Sequence, residues 1–363
     1  MKTTPMQFLL AAAVLFATLN PQLSTVFAQG SLTPPGAPAP TMKTLDQVEP
    51  RTPISSAPFT ITTPGSYYLT TNLTISGGDA ITIATSGVTL DLNGFTIAST
   101  AASAAGSGVL LNSGPSDISI LNGHILGGVT NNGIGVYSGS GFGYGIYGFP
   151  QNARVSGMSV SGCLYSGIYL NTGDSTVVES CTVRTVGGNG IVASTIKASV
   201  AKDCGGNGIY GDQMADCRGG CTDSAAGLSA TTAQNCYGFS GGSGTGLSAT
   251  TAVNCYGSSS SSYGLYATTA VNCYGSSGSG YGLYARNVAQ NCYGYSSSGT
   301  GLYAFLVNNC YGQSNSGIGY GIYANDIATG SYGYSSSGTG LRAYIANSCD
   351  DNSSAISFKY NMP

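Results

Sequence analysis

The chain has 363 residues, with 11 Lys and Arg against 14 Asp and Glu, a single histidine and a formal net charge of −3. Charged residues make up only 7% of it, against about a quarter in an ordinary soluble domain. That scarcity excludes a basic nucleic-acid footprint and a polybasic membrane patch, and it leaves few groups for acid–base chemistry.

The chain begins with Lys2, the apolar run Phe8–Leu19 and a stretch ending Val26-Phe27-Ala28, so residues 1–28 read as a cleaved secretory signal. The run is too short for the roughly 20 residues of a membrane-spanning helix, and no later stretch is uniformly apolar, so no transmembrane segment is expected. The mature product is expected to be exported, either secreted or held at the cell surface. Residues 29–57, which include the proline-rich Gly30–Pro40, read as an extended linker. From Phe59 the texture changes. The stretches "FTITTPGSYYLTTNLTI", "AITIATSGVTLDLNGFTI" and "ISILNGHILGG" alternate β-branched or aromatic residues with polar ones and are broken by Gly, Pro and Asn, which predicts short strands joined by turns.

An internal repeat then dominates. A Gly-apolar motif recurs at Gly167, Gly190, Gly208, Gly227, Gly246, Gly264, Gly282, Gly301, Gly321 and Gly340, and after the first step the spacing is 18 to 20 residues. Between these glycines fall Cys236, Cys255, Cys273, Cys292 and Cys310, then Ser331 in the equivalent place, then Cys349. Two short strands and a Gly/Ser-rich turn per period cannot bury a face alone, so successive periods must stack. Residues 58–363 are therefore predicted to form one all-β domain, a parallel β-solenoid. Segments 58–75 and 350–363 are expected to cover its two open edges.

The phrases "GVTLDLNGFTI", "ISILNGHI", "STVVESCTV" and "GGNGI" resemble those of right-handed parallel β-helix proteins of the pectate-lyase-like superfamily, over roughly residues 65–350. The resemblance implies a right-handed β-helix of about 14 coils, a rod of roughly 65 Å at one strand spacing per coil. It also brings in pectate lyases, polygalacturonases, phage tailspikes and many exported bacterial proteins as a range of possible roles. Pectate lyases use an acidic calcium cluster beside a basic residue, and only residues 202–223 supply both types here. The polygalacturonase set is incomplete and out of order: Asn171-Thr172-Gly173-Asp174 carries an inserted glycine, Gly123-His124-Ile125 lacks the second glycine, and Asp350-Asp351 lies at the C-terminal end. His124 stands where the preceding repeat has Phe95, which predicts a packing residue beside a turn.

Strand alternation sends Cys273 and Val271 inward and Asn272 and Tyr274 outward. The cysteines should then form an internal column of free thiols, with Cys217 and Cys221 the pair best placed to bond. Outside, one tyrosine stripe is expected at Tyr266, Tyr284, Tyr303 and Tyr323 and another at Tyr256, Tyr274, Tyr293 and Tyr311, together offering a flat surface to sugar rings or to another surface protein. Asn235, Asn254, Asn272, Asn291 and Asn309 should form an amide ladder. Asp203 and Asp216 are placed in the same column, side by side, with Lys202 and Arg218 close by. This is the one constellation that could be catalytic or hold Ca²⁺; no other cofactor is implied. Two functional classes follow. One is a non-catalytic structural or adhesive protein that binds polysaccharide along its tyrosines. The other is a polysaccharide lyase or glycoside hydrolase acting near Asp203 and Asp216.

Overall fold

A computed structural model describes residues 49–360 apart from 113, 174 and 317, and only the backbone of 354–358 and 360. The signal segment 1–28, most of the linker and Asp174 lie outside the described residues. Strand after strand pairs in parallel with the strand one coil ahead, giving a single wound sheet of 33 strands and a β-solenoid of about 16 turns. There is no helix among the described residues, hence none long and apolar enough to cross a membrane. The turn count exceeds the sequence expectation because coiling starts earlier and ends later. Thr52–Ile54, assigned to the linker by sequence, already pairs with Gly65–Leu69. Phe59–Ile61 and Leu73–Ile75 are ordinary coil strands, and Ser354–Tyr360 pairs in parallel with Leu341–Asn347, so the two supposed caps continue the winding.

Early coils are made of three short strands, such as Ile81–Ile83, Val88–Asp91 and Thr96–Ser99. Their interiors are filled by large aliphatic side chains, with Ile81, Leu90, Ile97 and Ile120 fully buried. Later coils use a seven-residue strand and a four-residue strand, as in Leu265–Val271 and Tyr274–Ser277. Inside them Leu265, Ala267, Ala270, Cys273 and Ser277 are buried. The buried serines are satisfied: Ser296 Oγ donates to the Gly280 carbonyl at 2.7 Å and accepts from the Gly299 amide at 2.8 Å, pinning the Ser/Gly-rich turn.

The inward partner of Cys273 is Ala270, while Val271 is half-buried. Alternation fails there because Asn272 sits in the left-handed region at φ 54°, where the chain turns a corner. Asn235, Asn254, Asn291 and Asn309 do the same at φ 50–53°, a conformation that asparagine tolerates better than most residues.

One element leaves the winding. Gly128–Asn131 and Tyr137–Ser140 form an antiparallel hairpin on the outside of the coils.

Candidate functional site

Tyr237, Tyr256, Tyr274, Tyr293, Tyr311 and Tyr332 stand in register on successive coils. Their ring centroids are 4.9, 4.7, 4.9, 4.9 and 5.3 Å apart, with planes within 18° of parallel. On the neighbouring strand Tyr266, Tyr284 and Tyr303 stack at 5.4 and 4.5 Å, and Tyr323 meets Tyr303 edge-on at 5.2 Å. A bordering row, Tyr263, Tyr281 and Tyr320, was not singled out by sequence, although the repeated Tyr-Gly-Leu/Ile-Tyr at 263–266, 281–284 and 320–323 signals it.

Strand spacing in a parallel sheet is close to the stacking distance of aromatic rings. Both faces of each ring inside the longer row, from Tyr256 to Tyr311, are therefore turned to neighbouring rings. Arginines cover row ends as well: the Arg218 guanidinium lies 4.7 Å from the Tyr237 centroid and that of Arg342 lies 4.7 Å from Tyr323. The flat aromatic platform expected from the sequence is thus not what the rows present, because the faces that would hold a sugar ring are used up within the rows. Edges and hydroxyls face outward instead. Burial, followed by repulsion from neighbouring phenols, raises Tyr256, Tyr293 and Tyr311 above the ordinary tyrosine pKa.

Beside the longer row runs the amide ladder. Asn254 Nδ2 donates to Asn235 Oδ1 at 3.2 Å, Asn272 to Asn254 at 3.2 Å and Asn291 to Asn272 at 3.1 Å. The head-to-tail amides point their positive ends toward the N-terminal coils, and there Asn235 Nδ2 donates to the Asp216 carboxylate at 3.1 Å. Asp216 is thus the charged end of the ladder. The asparagine and tyrosine rows together line a shallow groove of about 630 Å³ extending from Asn254 to Tyr332, with only uncharged residues along it.

Asp203 lies elsewhere. Its neighbour one coil back is Thr185, whereas Asp216 follows Ala198 in the corner row. The sequence merged two rows because left-handed corner residues precede cysteines twice in this part of the coil, at Asp203-Cys204 and Asp216-Cys217. The Asp203 carboxylate accepts from Thr185 Oγ1 at 2.8 Å, Asn131 Nδ2 at 2.7 Å and the Tyr137 hydroxyl at 3.0 Å. The last two belong to the hairpin, so Asp203 fastens it to the coils. Tyr137 also reaches Thr222 Oγ1 at 3.0 Å, and burial raises its phenol pKa. Nothing in the sequence pointed to Asn131 or Tyr137, which lie 72 and 66 residues from Asp203.

With the aspartates apart, no paired-carboxylate site forms, and among the described residues no group of three or more His, Cys, Asp or Glu converges to hold a metal ion. Lys202 and Arg218 do come together, in a cleft on the outer face of Val200–Cys204 and Arg218–Cys221. His124 is exposed on the strand Ser116–Leu126, in register with Thr96 and Ser159, so it is not the packing residue expected. Asp350 pairs with Tyr332 at the C-terminal end of the tyrosine row.

All eleven cysteines are buried free thiols, Cys217 and Cys221 included. Cys221 belongs to a second inner row, paired in register with Cys204 and followed by Ser240 and Ser259. The thiols find acceptors in the backbone: Cys273 Sγ donates to the carbonyls of Val271 and Ala252 at 3.2 and 3.4 Å. Burial pushes Cys163 up to about 12 and Cys181 up to about 11, far from the reactive thiolate range.

No protein-family model, curated protein or solved structure matches the chain.

Proposed function

We propose that this chain is a secreted or cell-surface, non-catalytic rod with a structural and adhesive role, and that it holds extended neutral polysaccharide along the groove between its asparagine and tyrosine rows. Kinship with the right-handed β-helix proteins of the pectate-lyase-like superfamily, read from the strand phrasing, forms part of this proposal. The observation that carries it is the groove itself. Side-chain amides and phenol edges recur there from coil to coil, and with no charged residue in the lining a sugar's hydroxyls are the matching partners. Contact is by hydrogen bonds to edges, since the ring faces are covered. The enzymatic alternative loses its residues, because Asp203 fastens the hairpin and Asp216 ends the ladder.

The test is electrophoresis of the mature chain through native gels cast with different neutral polysaccharides, followed by staining for remaining polymer. Retardation without clearing is expected, and it should be lost in a Tyr274→Phe, Tyr293→Phe double variant, which keeps the stack and removes the hydroxyls. Clearing of the polymer, or unretarded migration in every gel, overturns the proposal.

A further inference from the structure

Lys202 and Arg218 share a cleft of about 400 Å³, built by a mismatch between adjacent coils. Ala201 pairs with Gly219 and Cys204 with Cys221, so Lys202 and Asp203 together stand opposite the single residue Gly220. This is a bulge, a device that re-aims side chains at the surface of a sheet. Gly220 then pairs with Phe239, and Phe239 with Ser258. Along this outward row a glycine leaves a gap between a lysine and a phenylalanine.

The gap is open. A Cβ on Gly220 would meet only the Ala201 carbonyl oxygen, at 3.8 Å. Phe239 is 41% exposed and Val200 37% exposed, so the cleft presents apolar side chains to its opening. No ring contact involves Phe239 among those of the described residues, so its ring is free where the tyrosine rings are covered. The Arg218 guanidinium carbon lies 4.7 Å from the Tyr237 ring centroid, and no hydrogen bond or ion pair among the described residues takes up its N–H donors. No ion pair joins Lys202 or Arg218 to a carboxylate among the described residues.

We propose that this cleft binds a small organic carboxylate carrying a flat apolar ring. The ring lies over Gly220 against Phe239, and the carboxylate lies between Lys202 and Arg218. The volume is in the range of small-molecule sites, and an apolar floor with two unpaired cations at its edge selects an anion that is otherwise apolar. The site is distinct from the uncharged groove and does not depend on polysaccharide binding there.

The experiment is calorimetric titration of the mature chain with 2-naphthoate, with the uncharged 2-naphthamide as comparison. Naphthoate should bind at least tenfold more tightly than the amide. Gly220→Val should abolish binding without shifting the thermal midpoint, because its side chain fills open space, and it should leave polysaccharide retardation unchanged. Lys202→Gln should weaken naphthoate at least fivefold, and it avoids the second role of Arg218 over Tyr237. Equal affinity for acid and amide, undiminished binding by Gly220→Val, or no heat of binding from the native chain overturns the proposal.

Discussion

The early and late coils share one winding and are held by different forces. In the early coils Ile81, Leu90, Ile97 and Ile120 fill a wide interior, and burial of aliphatic volume dominates. In the late coils the inner residues are mostly Leu, Ala, Cys, Ser and Gly, with Val307 and Ile322 as larger exceptions, and the walls approach so closely that a Cβ on Gly275 would lie 2.2 Å from the Gly282 carbonyl oxygen. Exchanging an isoleucine for an alanine in each coil forfeits about 2 kcal/mol of apolar burial, at ~0.8 per CH₂. One stacked ring pair and one amide bond per coil return about 1 kcal/mol each. Small inner residues are thus compatible with stability only where identical residues recur in register, so that every coil adds its rung to each row.

This contrast can be broken most severely at the narrow end. Gly275→Ala should cost more than about 4 kcal/mol, because backbone must move to admit one methyl. Gly220→Ala, also a glycine-to-alanine change but into open space, should stay within about 0.5 kcal/mol. Urea unfolding of the two variants compares them directly, and a similar loss in both refutes the close-packed interior. In the wide early coils Leu90→Ala should cost about 2–5 kcal/mol through the cavity it leaves. Asp203→Ala should cost about 1–3 kcal/mol by stranding the hairpin's donors. Its signature is faster amide exchange confined to residues 128–140, with protection of the late coils unchanged.

A pH titration separates the regions more gently. The phenols of Tyr256, Tyr293 and Tyr311 hold their protons more tightly folded than unfolded. Their contribution is complete below the ordinary tyrosine pKa of about 10 and is lost as pH rises through the raised values, so alkaline unfolding should start in the late coils. Phenolate absorbance followed alongside amide exchange reports this, and uniform unfolding along the rod counts against it. A modest effect is expected from Cys273→Ser, within about 1.5 kcal/mol by thermal melting. Ser331 already occupies the same row, and the carbonyls that accept the thiol can accept a hydroxyl.

Much of this architecture is legible in the sequence because the repeat is its own alignment. The spacing of Gly264, Gly282 and Gly301 places Leu265, Leu283 and Leu302 in one row, and the structure pairs those residues in register. Features that depend on the corner between strands are harder to read. A left-handed residue resets the alternation, which hid the half-buried position of Val271 and assigned Asp203 and Asp216 to one row. The closed tyrosine faces follow from a coincidence of lengths, the strand spacing and the ring stacking distance, that a list of outward residues does not display. The hairpin is invisible for another reason: its anchor lies 66 residues ahead of Tyr137, with no periodic signal to connect them.

The constancy of register has one more consequence, for length. Removing residues 255–272 would join Asn254 to Cys273, leaving every row unbroken and the rod one strand spacing, about 4.8 Å, shorter. Inserting a copy of the same 18 residues would lengthen it by as much. The late coils thus behave as a ruler with quantised marks, on which the reach of the rod and the span of its groove change in whole steps while both ends stay the same.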